Sequence, residues 1–134
     1  MRYLLDTNAC ITYINGRAPQ LRDFIDTQSY ADIAVSAITK GEMYFGSAKG
    51  QTPERSRAIQ DAFLRHFESL PFDDAAADEY GSIRAYLERR GTPIGRHDML
   101  IAAIARANGL IVVTHNTREF ERIPGLNVED WEIE

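Results

Sequence analysis

Five residues in this chain have side chains that could do chemistry together, although they lie far apart in sequence. Asp6 closes the apolar run of "RYLLDTN"; Glu42 lies in "SAITKGEMYFG"; Asp98 opens "HDMLIAAIARANG". Asn116 and Glu119 sit in "THNTREF", just beyond the apolar "LIVVT". Each has an ordinary reading on its own. Asp6 is a good helix cap, and Asp98 in a first helical turn gains about 0.3–1 kcal/mol from the helix dipole. Asn116 suits a loop or cap, and Glu119 a solvated surface near Arg118 and Arg122.

Convergence changes that reading. Two carboxylates about 5 Å apart repel by roughly 3 kcal/mol at an effective dielectric near 20. Several of them in one pocket persist only if protons or a cation are shared among them. Oxygen-only donors suit hard divalent ions, and Mg²⁺ characteristically takes one or two carboxylates plus water and substrate phosphate. The three histidines, His66, His97 and His115, and the lone Cys10 show no zinc-ligand spacing. An acid cluster holding Mg²⁺ or Mn²⁺ is therefore the expected arrangement.

The elements must bring these residues to one place. Residues 2–5, 32–36, 69–72, 110–114 and 126–130 read as strands; "LIVVT" is continuous, as in a strand buried on both faces. Helices are expected over 8–15, 19–28, 37–48, 53–67, 73–90 and 97–108, with Pro19 and Pro53 in first turns and Ser36 as a cap. Strand–helix alternation means an α/β fold with a parallel sheet flanked by helices. Ligands then bind beyond the carboxyl ends of the strands, where Asp6 falls.

Composition narrows the function. With 134 residues and no linker or repeat, residues 1–134 read as a single domain. One cysteine permits no internal disulfide, and Cys10 is expected to pack as a small hydrophobe in a reducing, cytoplasmic setting. No secretory leader pattern or membrane-length apolar run is visible. Net charge of −5 argues against a generic nucleic-acid coat, yet not against a nuclease with an acidic, cation-filled centre. A receiver-like regulator would want adjacent acids after the first strand, and a haloacid-dehalogenase-like phosphatase an acid at position 8. Thr7 and Asn8 stand there instead.

The blocks "LLDTN", the Glu after "SAIT", "PIGRHDMLIAAIARANG" and "LIVVTHNTREFERIPGLNVEDW", in this order, resemble the PIN-domain ribonucleases, more narrowly VapC-type toxins of bacterial toxin–antitoxin modules. The resemblance implies a three-layer fold around a five-stranded parallel sheet and Mg²⁺- or Mn²⁺-dependent endoribonuclease activity. It matches Asp6 and Asp98 to the principal metal acids and Glu42 to the second acid. Asn116 falls where many members carry a fourth acid, and Glu119 is near enough to replace it. Thr7 and Asn8 are expected to cap the following helix or support Asp6. The implied partners are a VapB-type antitoxin, whose arginine could replace the cation's charge, and RNA, with the anticodon loop of a tRNA, initiator tRNA included, as target. A homodimer or toxin–antitoxin hetero-oligomer is the implied assembly. Lys40, Lys49, Arg17, Arg89, Arg90, Arg96 and Arg118 are candidate phosphate contacts, and the faces around "MYFGSA" and "AFLRHF" candidate partner surfaces. The non-enzymatic alternative is a PIN-like binding module that has lost catalysis; Asn116 favours it, and the three retained acids oppose it.

Overall fold

A computed structural model describes residues 1–133. Five strands, β1 (Tyr3–Leu5), β2 (Ile33–Ser36), β3 (Glu68–Leu70), β4 (Ile111–Val113) and β5 (Val128–Glu129), form one sheet in the order β3-β2-β1-β4-β5. Every pairing is parallel. Seven helices connect them: α1 (Thr7–Asn15), α2 (Pro19–Thr27), α3 (Ala37–Ala48), α4 (Pro53–Leu64), α5 (Asp74–Arg89), α6 (Arg96–Ala107) and α7 (Thr117–Phe120).

The pleat sorts the strand residues into two cores. Leu4, Ala34 and Val112 face one side, against α5, α6 and the segment carrying Phe120 and Ile123. Tyr3, Leu5, Ile33, Val35 and Val113 face the other, against Leu21, Ile25, Phe63 and Trp131. Successive strand residues point to opposite faces, so a strand covered on both sides is apolar throughout, as the sequence of β4 indicated. The result is the three-layer α/β arrangement expected.

Two features position the site. β1 is central, with β2 on one side and β4 on the other, so chain connectivity reverses at its carboxyl end. A crevice opens at such a point. Helix α6 is buried at every residue from Ile101 to Ala105, which holds its first turn in place. Gly109 ends it in the left-handed region at φ 65, where a side chain would be strained, and turns the chain into β4.

Most expected elements fall within a few residues of their observed bounds. Helix α4 stops at Leu64 rather than 67, because Phe67 reaches the core from the turn that follows. Strand β3 ends at Leu70; Pro71, lacking an N–H, lies outside it. The single-turn α7 and a 3₁₀ turn at Tyr30–Asp32 were not anticipated, being too short to show a period.

Candidate active site

Asp6 lies at the end of β1 and is 3% exposed. Its Oδ1 accepts the Ala9 N–H at 2.8 Å, so it does cap α1. The cap uses one oxygen. Capping and a role in the crevice are thus not alternatives. The Thr114 hydroxyl, at the end of β4, also bonds this carboxylate and accepts the Asn116 N–H at 2.9 Å. Burial nonetheless pushes Asp6 up from 3.8 to about 6, the bonds from Thr114 and Ala9 opposing it and the charges of Glu132 and Glu42 adding to it.

Asp98 stands in the first turn of α6, half-buried, and is pushed up to about 7. Burial is the main cause. A hydrogen bond with Glu119 comes next, then the charges of Asp6, Glu119 and Glu42. Two carboxyl groups can bond each other only when one of them carries the proton, which is why this contact raises Asp98. Glu119 is held in turn by Asn116, whose Nδ2 donates to Oε2 at 2.7 Å.

Glu42 projects from α3. Thr7 Oγ1 donates to its Oε1 at 2.6 Å, and His97 Nδ1 lies 2.8 Å from its Oε2. Thr7 is also 3.1 Å from Thr39 Oγ1, inside a hydroxyl chain that reaches the Ser36 cap of α3. The expectation for Thr7 and Asn8 is corrected here: Asp6 caps α1 itself, Thr7 supports Glu42, and Asn8 is exposed.

Asp6, Glu42, Asp98 and Glu119 therefore act on one another from four separate segments, while Asn116 joins them through Glu119. Among the described residues, none of the four is ion-paired with a lysine or arginine; the basic group in contact with them is the His97 imidazole, on Glu42. The acids do not converge on a single point either. Among the described residues, His115, Asp130 and Glu132 are the group whose three ligand atoms all lie within 4.8 Å of one another. Mutual repulsion and the pull of Thr7 and His97 on Glu42 account for the open arrangement of the four. Mg²⁺ takes only one or two protein carboxylates, so the oxygen-only donors fit it and Mn²⁺ in kind.

Reasoning from sequence missed Thr114, His97 and Glu132. Thr114 and His97 each lie in a quoted block, and their places at a strand end and a helix start were the available signal. Glu132 carried none. Cys10 is fully buried, burial pushes its thiol up, and it packs as expected. The candidate partner faces divide: Met43 and Phe63 belong to the core, whereas Phe45 is 66% exposed beside Glu42. It borders a groove of about 610 Å³ that also touches Ile38, His97 and Leu100. Among the described residues, no helix is long and apolar enough to cross a membrane.

Residues 3–126 match the family model of the PIN domain. The chain is 42% identical to the tRNA(fMet)-specific endonuclease VapC of Salmonella typhimurium (strain LT2), over 98% of both chains. It is 39% identical to ribonuclease VapC2 of Haemophilus influenzae (strain KW20 / Rd), again over 98% of each. Its fold superposes on a crystal structure of DNA-bound VapBC from Salmonella typhimurium with a TM-score of 0.92, at 42% identity over 98% of both chains. The chain belongs to the PIN-domain family and, within it, to the VapC ribonucleases, the toxins of VapBC toxin–antitoxin modules. Its activity is hydrolytic cleavage of RNA, and nucleases of this family are typically metal-dependent.

Proposed function

We propose that Asp6, Asp98 and Glu42 hold Mg²⁺ or Mn²⁺ and that, with Asn116 and Glu119, they carry out endonucleolytic cleavage of a tRNA. The observation supporting this is four carboxyl groups acting on one another at the switch point of the sheet, none of them ion-paired with a lysine or arginine among the described residues. A divalent cation bound there would supply a more acidic water and offset charge on the phosphoryl oxygens. Asp6 contributes the oxygen not engaged in capping, and Asp98 the carboxyl that burial and its acidic neighbours raise. Glu119 takes the proton of the attacking water, kept in position by Asn116. Glu42, gripped by Thr7 and His97, fixes the solvent-facing side of the pocket.

The tRNA assignment rests on likeness to the Salmonella relative, whose name specifies tRNA(fMet). Bases of an anticodon loop are unpaired, so one of them can splay out onto an exposed ring such as Phe45. The second partner is a VapB-type antitoxin. An arginine from it entering the pocket would meet the uncompensated carboxylates in a charge-assisted pair. We infer further that residues 1–134 act as one domain in the cytoplasm, as a homodimer or in a toxin–antitoxin hetero-oligomer.

The test is purified protein incubated with total RNA, with sequencing of the cleaved ends. Cuts in one or a few tRNA anticodon loops are expected with Mn²⁺ or Mg²⁺, and none with EDTA or in Asp98→Ala. Cleavage of bulk unstructured RNA with no tRNA preference would sink the substrate assignment. Full activity of Asp98→Ala would sink the site.

A further inference from the structure

The last rung between β4 and β5 is the bond from Thr114 N to Glu129 O, at 3.0 Å. The register that pairs Val113 with Glu129 runs out there, and just beyond it His115 Nδ1 lies 3.0 Å from Asp130 Oδ2. The other Asp130 oxygen accepts the Glu132 N–H at 2.9 Å, which curls the chain and brings the Glu132 carboxyl round. One imidazole nitrogen and two carboxylate oxygens thus come within 4.8 Å of one another.

The scaffold beneath is firm. Trp131, between the two acids, is buried at 3%, edge-on to Tyr3 and stacked on Phe24, and its Nε1 donates to Glu129 at 2.9 Å. The Asp130 side chain is 12% exposed, the His115 side chain 63%. One wall is fixed and the other opens to solvent.

We propose that His115, Asp130 and Glu132 form a second divalent-cation site beside the acidic pocket, selective for a nitrogen-seeking ion such as Co²⁺ or Zn²⁺ over Mg²⁺. Donors bound to one ion at about 2.0–2.2 Å stand about 3–3.5 Å from each other. The His115–Asp130 pair already has that spacing, and Glu132 closes on it by side-chain rotation. Imidazole favours the later first-row ions, whereas Mg²⁺ prefers oxygen donors and gives up its water reluctantly. The His115–Asp130 contact by itself contributes little to stability, and the Glu132 carboxyl, brought round by its N–H bond to Asp130, adds a third donor that a two-residue contact does not need. Three protein ligands leave coordination positions for water, so the site takes the free ion.

The experiment is calorimetric titration of the full chain with Co²⁺ alone, paired with its visible absorption, in wild type and in Asp98→Asn, His97→Ala, His115→Ala and Glu132→Gln. Wild type, Asp98→Asn and His97→Ala are expected to share one Co²⁺ event that excess Mg²⁺ does not displace. In His115→Ala its affinity falls at least about tenfold and the absorption changes, and Glu132→Gln weakens it as well. His115 is exposed, so its removal leaves the fold intact, which circular dichroism verifies. The proposal is overturned if wild type binds no Co²⁺, if His115→Ala binds it like wild type, or if Asp98→Asn or His97→Ala abolishes the event. RNA cleavage is scored separately, so this site can fail while the nuclease reading stands.

Discussion

Helix α6 carries a charge at each end, and the protein treats the two in opposite ways. At the carboxyl end, Arg106 is partly buried with its positive charge on the side the helix dipole favours. Its Nε donates to Glu79 of α5, and a second nitrogen donates to the Pro124 carbonyl at 2.9 Å. At the amino end Asp98 also has the sign the dipole favours, yet every charged group acting on it is another acid. Arg106 is complete within the fold. Asp98 is satisfied only by a proton shared with Glu119, or by a cation from outside. Burial of a charge is therefore no sign of function by itself; burial without a counter-charge is.

The largest effect expected from this contrast is on activity. Asp98→Asn, nearly isosteric but uncharged, should lower RNA cleavage by about a thousandfold or more, since a cation's contribution to such a step is several kcal/mol. Arg106→Met should leave cleavage by the folded protein nearly unchanged. It should lower stability by about 1–3 kcal/mol, as Glu79 loses its partner, and Glu79→Met in the same chain should recover most of that loss. Urea denaturation beside a cleavage assay checks both halves. If Arg106→Met impaired cleavage as deeply as Asp98→Asn, the distinction between the two ends of α6 would be lost.

The second effect is on stability against pH. Asp6 titrates at about 6 in the folded chain, against 3.8 for an unburied carboxyl. A carboxyl raised on folding stabilises the native state fully below its unfolded value, and that contribution disappears as pH climbs through the folded value. Metal-free protein should thus lose about 3 kcal/mol between about pH 4 and about pH 8 on account of Asp6 alone. Asp6→Asn keeps an acceptor for the Ala9 N–H and has no charge to bury, so it should be the more stable chain at about pH 8. At about pH 4 the two should be similar. Denaturation in EDTA across this range measures the difference, and a flat wild-type profile would count against a crowded, uncompensated pocket. Mn²⁺ should restore the loss at high pH in wild type and fail to do so in Asp98→Asn.

The same contrast explains what the sequence could tell a reader. Strand ends and helix starts are local: Ser36 caps α3, Pro53 opens α4, and an acid directly after an apolar run lies at a sheet edge. Asp6, Glu42 and Asp98 were legible for that reason. Their supports were not, because those depend on which strand ends become neighbours. Thr114 reaches Asp6 only because β4 pairs with β1, and Glu132 acts on Asp6 only because β5 lies beyond β4. His97 shows no zinc-ligand spacing along the chain, and its contact is with Glu42 on another helix. The edge strand β3 was displaced in the reading because two of its three residues are exposed and carry no apolar signal.

The smallest effect concerns Asn116. Its Nδ2 donates to Glu119 at 2.7 Å, and its own N–H is fixed by Thr114, so it links the support of Asp6 to the partner of Asp98. Removing a group that only orients a ligand or base typically costs ten- to a hundredfold, and the lower end is expected here because Asn116 is partly exposed. Asn116→Ala should lower kcat by about tenfold with KM little changed, and should leave the pH dependence of stability as in wild type. Asn116→Asp places a further acid beside Glu119. It should tighten Mn²⁺ binding while lowering stability of the metal-free chain at about pH 8. An alanine variant with unaltered kcat would make Asn116 a loop residue and leave Glu119 to act unassisted. A large loss, approaching that of Asp98→Asn, would instead make its amide oxygen a direct ligand of the cation.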